Sequence, residues 1–285
     1  MDFRRRLPAC FAAVFLMLMT GIGATGQDRA VPGPNPLDSP SFRPSLDAIC
    51  GSGREISTGC DAIRVRRIAE SSKFPWRTIG RVNFAGIAVR QHCTGALIGE
   101  NIVLTAAHCL YNLPRRNWIP ASSIRFAAGY SKGTAQSVSQ VKRYVLDTPH
   151  DLTSRDFSGT PENDWALLVL SDPIGREVGF LGIEPMTAGN GGKLNVTLAG
   201  YAGLRPHVLS VAEDCGTASF DPTGKILWAP CSAMHGDSGA PMIVIRDGMP
   251  KVIGVHSAIF TDGQRSISVA VPVQNFAKAL NTLPN

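Results

Sequence analysis

The chain has few aromatic residues (7%) and only moderate charge (18%) over its 285 residues. It contains no Cys-x-x-Cys, no His-Glu-x-x-His and no run of five or more basic residues. The first two absences remove the usual zinc-binding spacings. The third removes the electrostatic footprint of a nucleic-acid binder. The six histidines are scattered at 92, 108, 150, 207, 235 and 256, and the pairs His92-Cys93 and His108-Cys109 lack finger spacing. We therefore expect no metal, no cofactor and no nucleic-acid partner. Net charge is +6, of which residues 1–26 supply +2 (Arg4, Arg5 and Arg6 less Asp2), leaving +4 for the rest. With 44% hydrophobic residues the composition is that of a globular chain, not a disordered, collagenous or coiled-coil one.

What is present begins with an address label. Residues 1–26 run from three arginines through an apolar stretch, Leu7 to Met19, to small residues ending Ala24-Thr25-Gly26. That is the order of a secretory signal, and the apolar run is too short for a bilayer span. We expect a secreted or periplasmic protein with no stable membrane anchor after signal removal. Six of the seven cysteines lie downstream: Cys50, Cys60, Cys93, Cys109, Cys215 and Cys231. In an oxidising compartment this number suggests three disulfides, and spacing permits adjacent pairing without excluding the other connectivities. Residues 27–67 open with Pro32, Pro34, Pro36, Pro40 and Pro44 and read as an extended pro-segment. From about Phe74 come short β-rich segments split by turns, with 29 glycines and 20 prolines in the chain overall. We place strands at Thr78–Val82, Ala85–Arg90, Ala96–Gly99, Ile102–Ala106, Ile124–Ala128, Val138–Leu146, Ala166–Leu170, Leu194–Ala199, Pro241–Ile245, Val252–His256 and Ser266–Val271. Only the end looks helical, where Val273, Phe276, Ala277 and Leu280 share a face. The fold class is all-β, barrel or sandwich.

Three segments carry chemistry. Leu104-Thr105-Ala106-Ala107-His108-Cys109 puts a histidine at the end of an apolar strand. Asn163-Asp164-Trp165-Ala166-Leu167-Leu168 puts an acid at the mouth of another. His235-Gly236-Asp237-Ser238-Gly239-Ala240-Pro241 holds a serine in a glycine-flanked turn. Each alone has a structural explanation as a strand end, a cap or a turn. Together they give the order His, Asp, Ser. An α/β-hydrolase runs Ser, Asp, His and carries Gly-x-Ser-x-Gly, which Ala240 interrupts here; a subtilisin-type enzyme runs Asp, His, Ser.

In these strings the sequence resembles the chymotrypsin-like (trypsin-fold) serine peptidases, in the flavour of their bacterial glutamyl-endopeptidase-like branch. The resemblance covers about residues 68–285 and is loose at 110–160 and 172–215. It implies two six-stranded antiparallel β-barrels, about 68–180 and 181–285, with the active site between them and a C-terminal helix. It implies a peptidase that hydrolyses peptide bonds through an acyl-enzyme, with Ser238 as nucleophile, His108 as base and Asp164 orienting the imidazole. The backbone amides of Gly236 and Ser238 would form the oxyanion hole. The resemblance also implies disulfides Cys93–Cys109 and Cys215–Cys231; Cys50 and Cys60 lie outside the matched region and would staple the pro-segment to each other, or one of them would join the catalytic domain.

Specificity and activation follow from the same resemblance. Ser232 stands where trypsin-like enzymes carry an acid, which argues against basic P1 residues. His256 stands where glutamyl endopeptidases meet a P1 carboxylate, so a Glu or Asp preference is expected, with Ser232, His256 and Ser257 at S1. Ser257 also matches the position whose hydroxyl supports the triad acid. Arg66-Arg67-Ile68 reads as a zymogen processing site: cutting at Arg67–Ile68 would free an ammonium to pair with Asp237. Partners are protein or peptide substrates, and the protein is expected to be a monomer. The rival reading is a catalytically silent binding protein on the same fold, and a metallohydrolase is disfavoured by the scattered histidines. Asn195-Val196-Thr197 is a formal glycosylation sequon with no other support.

Overall fold

The computed structural model describes residues 50–283, apart from 52–53, 56, 86–89, 113–114, 148–159, 187–194, 214 and 263–264. The expected signal and most of the Pro-rich segment lie outside the described residues. No helix among the described residues is long and apolar enough to cross a membrane.

A nine-residue helix, α1 (Ser57–Val65), leads into the two-residue strand β1 (Arg67–Ile68). Besides a small two-stranded pair, Tyr111–Asn112 with Asn117–Trp118, six strands follow: β2 (Ile79–Ala85), β3 (Arg90–Leu97), β4 (Ile102–Thr105), β5 (Ile124–Ala128), β6 (Ser137–Leu146) and β7 (Ala166–Leu170). They close into an antiparallel barrel in the order β6-β7-β4-β3-β2-β5. The second half contributes β8 (Thr197–Gly200), β9 (Ser210–Ala212), β10 (Ser219–Phe220), β11 (Leu227–Ala229), β12 (Pro241–Arg246), β13 (Met249–Asp262) and β14 (Arg265–Pro272). These form a nine-stranded sheet along the path β10-β11-β14-β13-β12-β8-β9-β1, with Gly182–Ile183 paired to β13. One closed six-stranded barrel is thus present, and the second half is a long sheet bent at register shifts in β12 and β13.

The sequence explains why the two halves pack. β7 reads Ala-Leu-Leu-Val-Leu and is buried along its whole length. Because successive side chains face opposite ways, Ala166, Leu168 and Leu170 fill the barrel lumen with Leu97, Val103 and Phe126. Leu167 and Val169 turn outward instead. There they join Ile102, Leu104, Ala199, Tyr201, Ile243 and Val255 in a core shared with the second sheet. A third cluster, including Leu198, Met242, Ile253 and Ala270, fills the inside of that sheet. Burying each such aliphatic side chain contributes roughly 1.5–3 kcal/mol.

The C-terminal helix, α2 (Val273–Leu280), forms where the apolar spacing places it and buries Val273 and Phe276. Of the expected strand Ala85–Arg90, residues 86–89 lie outside the described residues, while Ala85 ends β2 and its partner Arg90 starts β3. The strand that does follow, Arg-Gln-His-Cys-Thr-Gly-Ala-Leu, is polar because its middle is hydrogen-bonded to the site described next. The helix α1 was not read from sequence at all.

Candidate active site

His108 lies in a 3-10 turn (Ala107–Leu110) at the end of the fully buried β4. Asp164 follows another short turn, Pro161–Asn163, just before β7. Neighbouring strands β4 and β7 therefore deliver the two side chains to one point. The His108 ring nitrogen Nδ1 lies 2.7 Å from Asp164 Oδ2, and the His108 amide donates to Asp164 Oδ1 at 2.8 Å. The Ser257 hydroxyl donates to Asp164 Oδ2 as well. Asp164 is completely buried. Burial alone would raise its pKa, but the His108 charge and these hydrogen bonds outweigh it and hold the carboxyl below its ordinary value. An Asp–His pair in this arrangement fixes the imidazole with Nδ1 on the acid, leaving Nε2 to exchange a proton.

Ser238 lies on the turn leading into β12, buried to 3% exposure. The turn is stitched to β3 of the first barrel. The Thr94 amide donates to the Ser238 carbonyl at 2.8 Å, and the Thr94 hydroxyl donates to the Gly236 carbonyl at 2.7 Å. Cys109 Sγ, one residue beyond His108, lies 3.8 Å from the Ser238 carbonyl oxygen. The turn carrying the serine thus packs against the segment carrying the histidine. Its glycines are required. Gly236 has φ +90°, and a Cβ there would come within 2.3 Å of the Tyr201 carbonyl oxygen. Gly239 has φ +81°, and a Cβ there would meet the Thr94 carbonyl and the Thr105 hydroxyl, each at 2.2 Å.

Within the turn, the amides of Asp237, Gly239 and Ala240 are committed to the carbonyls of Met234, His256 and Asp237. No backbone carbonyl among the described residues accepts from the Gly236 amide. The loops on either side are closed by disulfides Cys93–Cys109 and Cys215–Cys231. Cys60 is also disulfide-bonded, while the side chain of Cys50 lies outside the described residues. Among the described residues, the group of potential metal ligands within reach of one another is Cys93, His108 and Cys109. Its two sulfurs are joined to each other and cannot ligate as thiolates.

His256 sits on β13 beside the serine turn: its amide donates to the Ala240 carbonyl and its carbonyl accepts from the Gly239 amide, each at 2.8 Å. The ring is completely buried. Burial, only partly offset by the Asp237 charge, lowers its pKa to about 4, so it is neutral near pH 7. Nδ1 lies 2.5 Å from the Ser268 hydroxyl, and Nε2 is buried with no hydrogen-bond partner among the described residues. Ser257 faces Asp164, and the Ser232 carbonyl accepts from the Arg66 guanidinium.

The structure does not bring Ile68 to Asp237. Ile68 is 46% exposed and pairs with Ser210 at the sheet edge. The group that meets Asp237 is the Arg66 side chain. Sequence reasoning missed this role of Arg66, because a dibasic pair reads as a processing site. It also missed Thr94 and Ser268, whose hydroxyls carry no motif.

Residues 66–280 match the family model described as Trypsin. The glutamyl endopeptidase of Bacillus licheniformis is 27% identical over 201 residues, covering 69% of this chain and 58% of that relative. The serine protease SP24D of Anopheles gambiae is 29% identical over 265 residues, covering 86% of this chain and 85% of the relative. Among solved structures, that of Glu endopeptidase in complex with MPD superposes with a TM-score of 0.61 at 22% identity, covering 75% of this chain and 94% of the other.

Proposed function

Because the chain belongs to the trypsin family, we propose that it is a secreted serine endopeptidase that cleaves peptide bonds through an acyl-enzyme on Ser238. His108 takes the serine proton and returns it to the leaving amine, while Asp164 holds the imidazole and stabilises its charged form. The amides of Gly236 and Ser238 receive the developing oxyanion. The nine-stranded sheet serves as the second barrel of the architecture, and upstream residues are removed on export and maturation. The observation that carries this reading is the fully buried Asp164 carboxylate on His108 Nδ1, with its remaining capacity met by the His108 amide and the Ser257 hydroxyl. Three donors on a buried acid next to a strand-end histidine make an oriented base, which a binding protein does not need.

For P1 we propose Glu or Asp. The support is His256. We assign the Ser268 hydroxyl as the donor to Nδ1, which puts the neutral ring's proton on Nε2, a buried atom with no partner among the described residues. Leaving such a donor unsatisfied costs roughly 1–3 kcal/mol, which a substrate carboxylate would recover. The glutamyl endopeptidase among the relatives agrees with this choice.

The test is one experiment with two readouts on the secreted protein. A fluorophosphonate is expected to label the wild type and not Ser238→Ala, and a peptide library is expected to be cut mainly after Glu or Asp. No labelling would favour the silent binding protein on the same fold. Labelling with cleavage after Arg, Lys or bulky aromatics would overturn the P1 assignment alone.

A further inference from the structure

Asp237, the residue before the serine, is completely buried. Its Oδ1 accepts from Arg66 Nη1 at 3.0 Å, and its Oδ2 accepts from the Met234 amide at 3.1 Å. The Arg66 side chain is itself 2% exposed, and its second terminal nitrogen donates to the Ser232 carbonyl. One planar guanidinium therefore bridges the two ends of the segment 232–237, which leads into the oxyanion turn. The fork is anchored from behind. Arg205 donates to the Arg66 carbonyl at 2.8 Å and also to that of Arg64. Ile63 of α1 is buried against Ala202 and Met234. α1 also carries the disulfide-bonded Cys60.

Building on the peptidase reading above, we propose that the Arg66 guanidinium is the positioning residue that holds Asp237, and with it the Gly236 and Ser238 amides, in the working arrangement. The chain uncut at Arg67–Ile68 then already has a complete site. A buried carboxylate stripped of its counter-charge is strongly unfavourable. The turn cannot keep Asp237 inside unless a cation stays with it. Arginine suits this better than a single ammonium, because its rigid fork makes two bonds at once to groups five residues apart, Asp237 and the Ser232 carbonyl. Hydrolysis at Arg67–Ile68 would cut the covalent link between Arg66 and the catalytic half, leaving it held by noncovalent bonds such as those from Arg205 and by α1 with its disulfide-bonded Cys60. Maturation consistent with this geometry cuts upstream of α1.

The test uses the secreted, fluorophosphonate-labelled protein. After reduction, the labelled polypeptide is sequenced from its N-terminus, and kcat and KM are compared for wild type, Arg66→Met and Arg66→Lys. The labelled polypeptide is expected to contain residue 66. Arg66→Met is expected to lose about 100-fold or more in kcat with a much smaller change in KM, and Arg66→Lys to recover part of that loss. If Arg66→Met does not accumulate as folded protein, Arg66→Lys decides, with kcat expected about tenfold below wild type at similar KM. A labelled species beginning at Ile68 overturns the proposal, as does wild-type kcat in either variant. An unlabelled wild type overturns the peptidase reading and this one together, whereas a labelled wild type with unaffected Arg66 variants overturns this one alone.

Discussion

Ser268 is a completely buried serine whose hydroxyl lies against His256 Nδ1. On the reading proposed here it sets which nitrogen of the imidazole carries the proton. Without that hydroxyl, neutral His256 is free to place its proton on either nitrogen, and Nε2 is no longer a fixed donor. Ser268→Ala is therefore expected to lower kcat/KM about tenfold for a substrate with Glu at P1, the value of one hydrogen bond of about 1.4 kcal/mol. A matched substrate with a neutral P1 residue should change much less. Paired steady-state kinetics on the two substrates checks this. An equal loss on both would mean that Ser268 only supports the fold.

At the scale of elements, α2 does more than end the chain. Phe276 packs against Trp165, the residue after Asp164, with ring centroids 5.8 Å apart and the planes tilted by 44°. Asn275 donates to the Glu162 carbonyl at 3.0 Å, in the turn that leads to Asp164. The helix thus pins the loop that presents the acid. Phe276→Ala is expected to cost about 3–5 kcal/mol of stability, read as a lower urea midpoint at unchanged slope. Such elements differ in how legible they were. α2 and β7 announce themselves by apolar spacing, because each buries aliphatic side chains in regular register. β3 does not: its buried Thr94 and disulfide-bonded Cys93 serve the serine turn, so no hydrophobic pattern marks the strand. α1 is hidden for a related reason. It contributes Ile63 to a three-residue cluster with Ala202 and Met234, distant positions that no local window relates. His108, Asp164 and Ser238 were legible because fixed short strings surround them. Arg66 was not, since its meaning depends on a partner 171 positions away.

For the whole molecule, the fully buried His256 and the half-buried His92 set the acid limit. His256 and His92 are both held neutral, with pKa lowered by burial from 6.5 to about 4; for His92, the Tyr201 carbonyl partly opposes the shift. In the unfolded chain both regain the ordinary value, so the unfolded state binds more protons between those two pH values. Stability is then complete above about pH 6.5 and falls as pH drops toward 4. For His256 the shift from 6.5 to about 4 corresponds to about 3 kcal/mol by pH 4, and His92 acts in the same direction. Asp164 works in a different window. Its depressed pKa gives stability that is present above the ordinary carboxylate value and is lost only as pH falls below it, so it does not offset the histidines between 6.5 and 4. Urea unfolding of the wild type is therefore expected to show a midpoint that declines steadily from pH 7 to pH 4.5. His256→Gln, which cannot take up a proton, should show a shallower decline over the same range, whatever its starting stability. A wild-type midpoint that stays flat across that range would mean that these rings are not held neutral in solution.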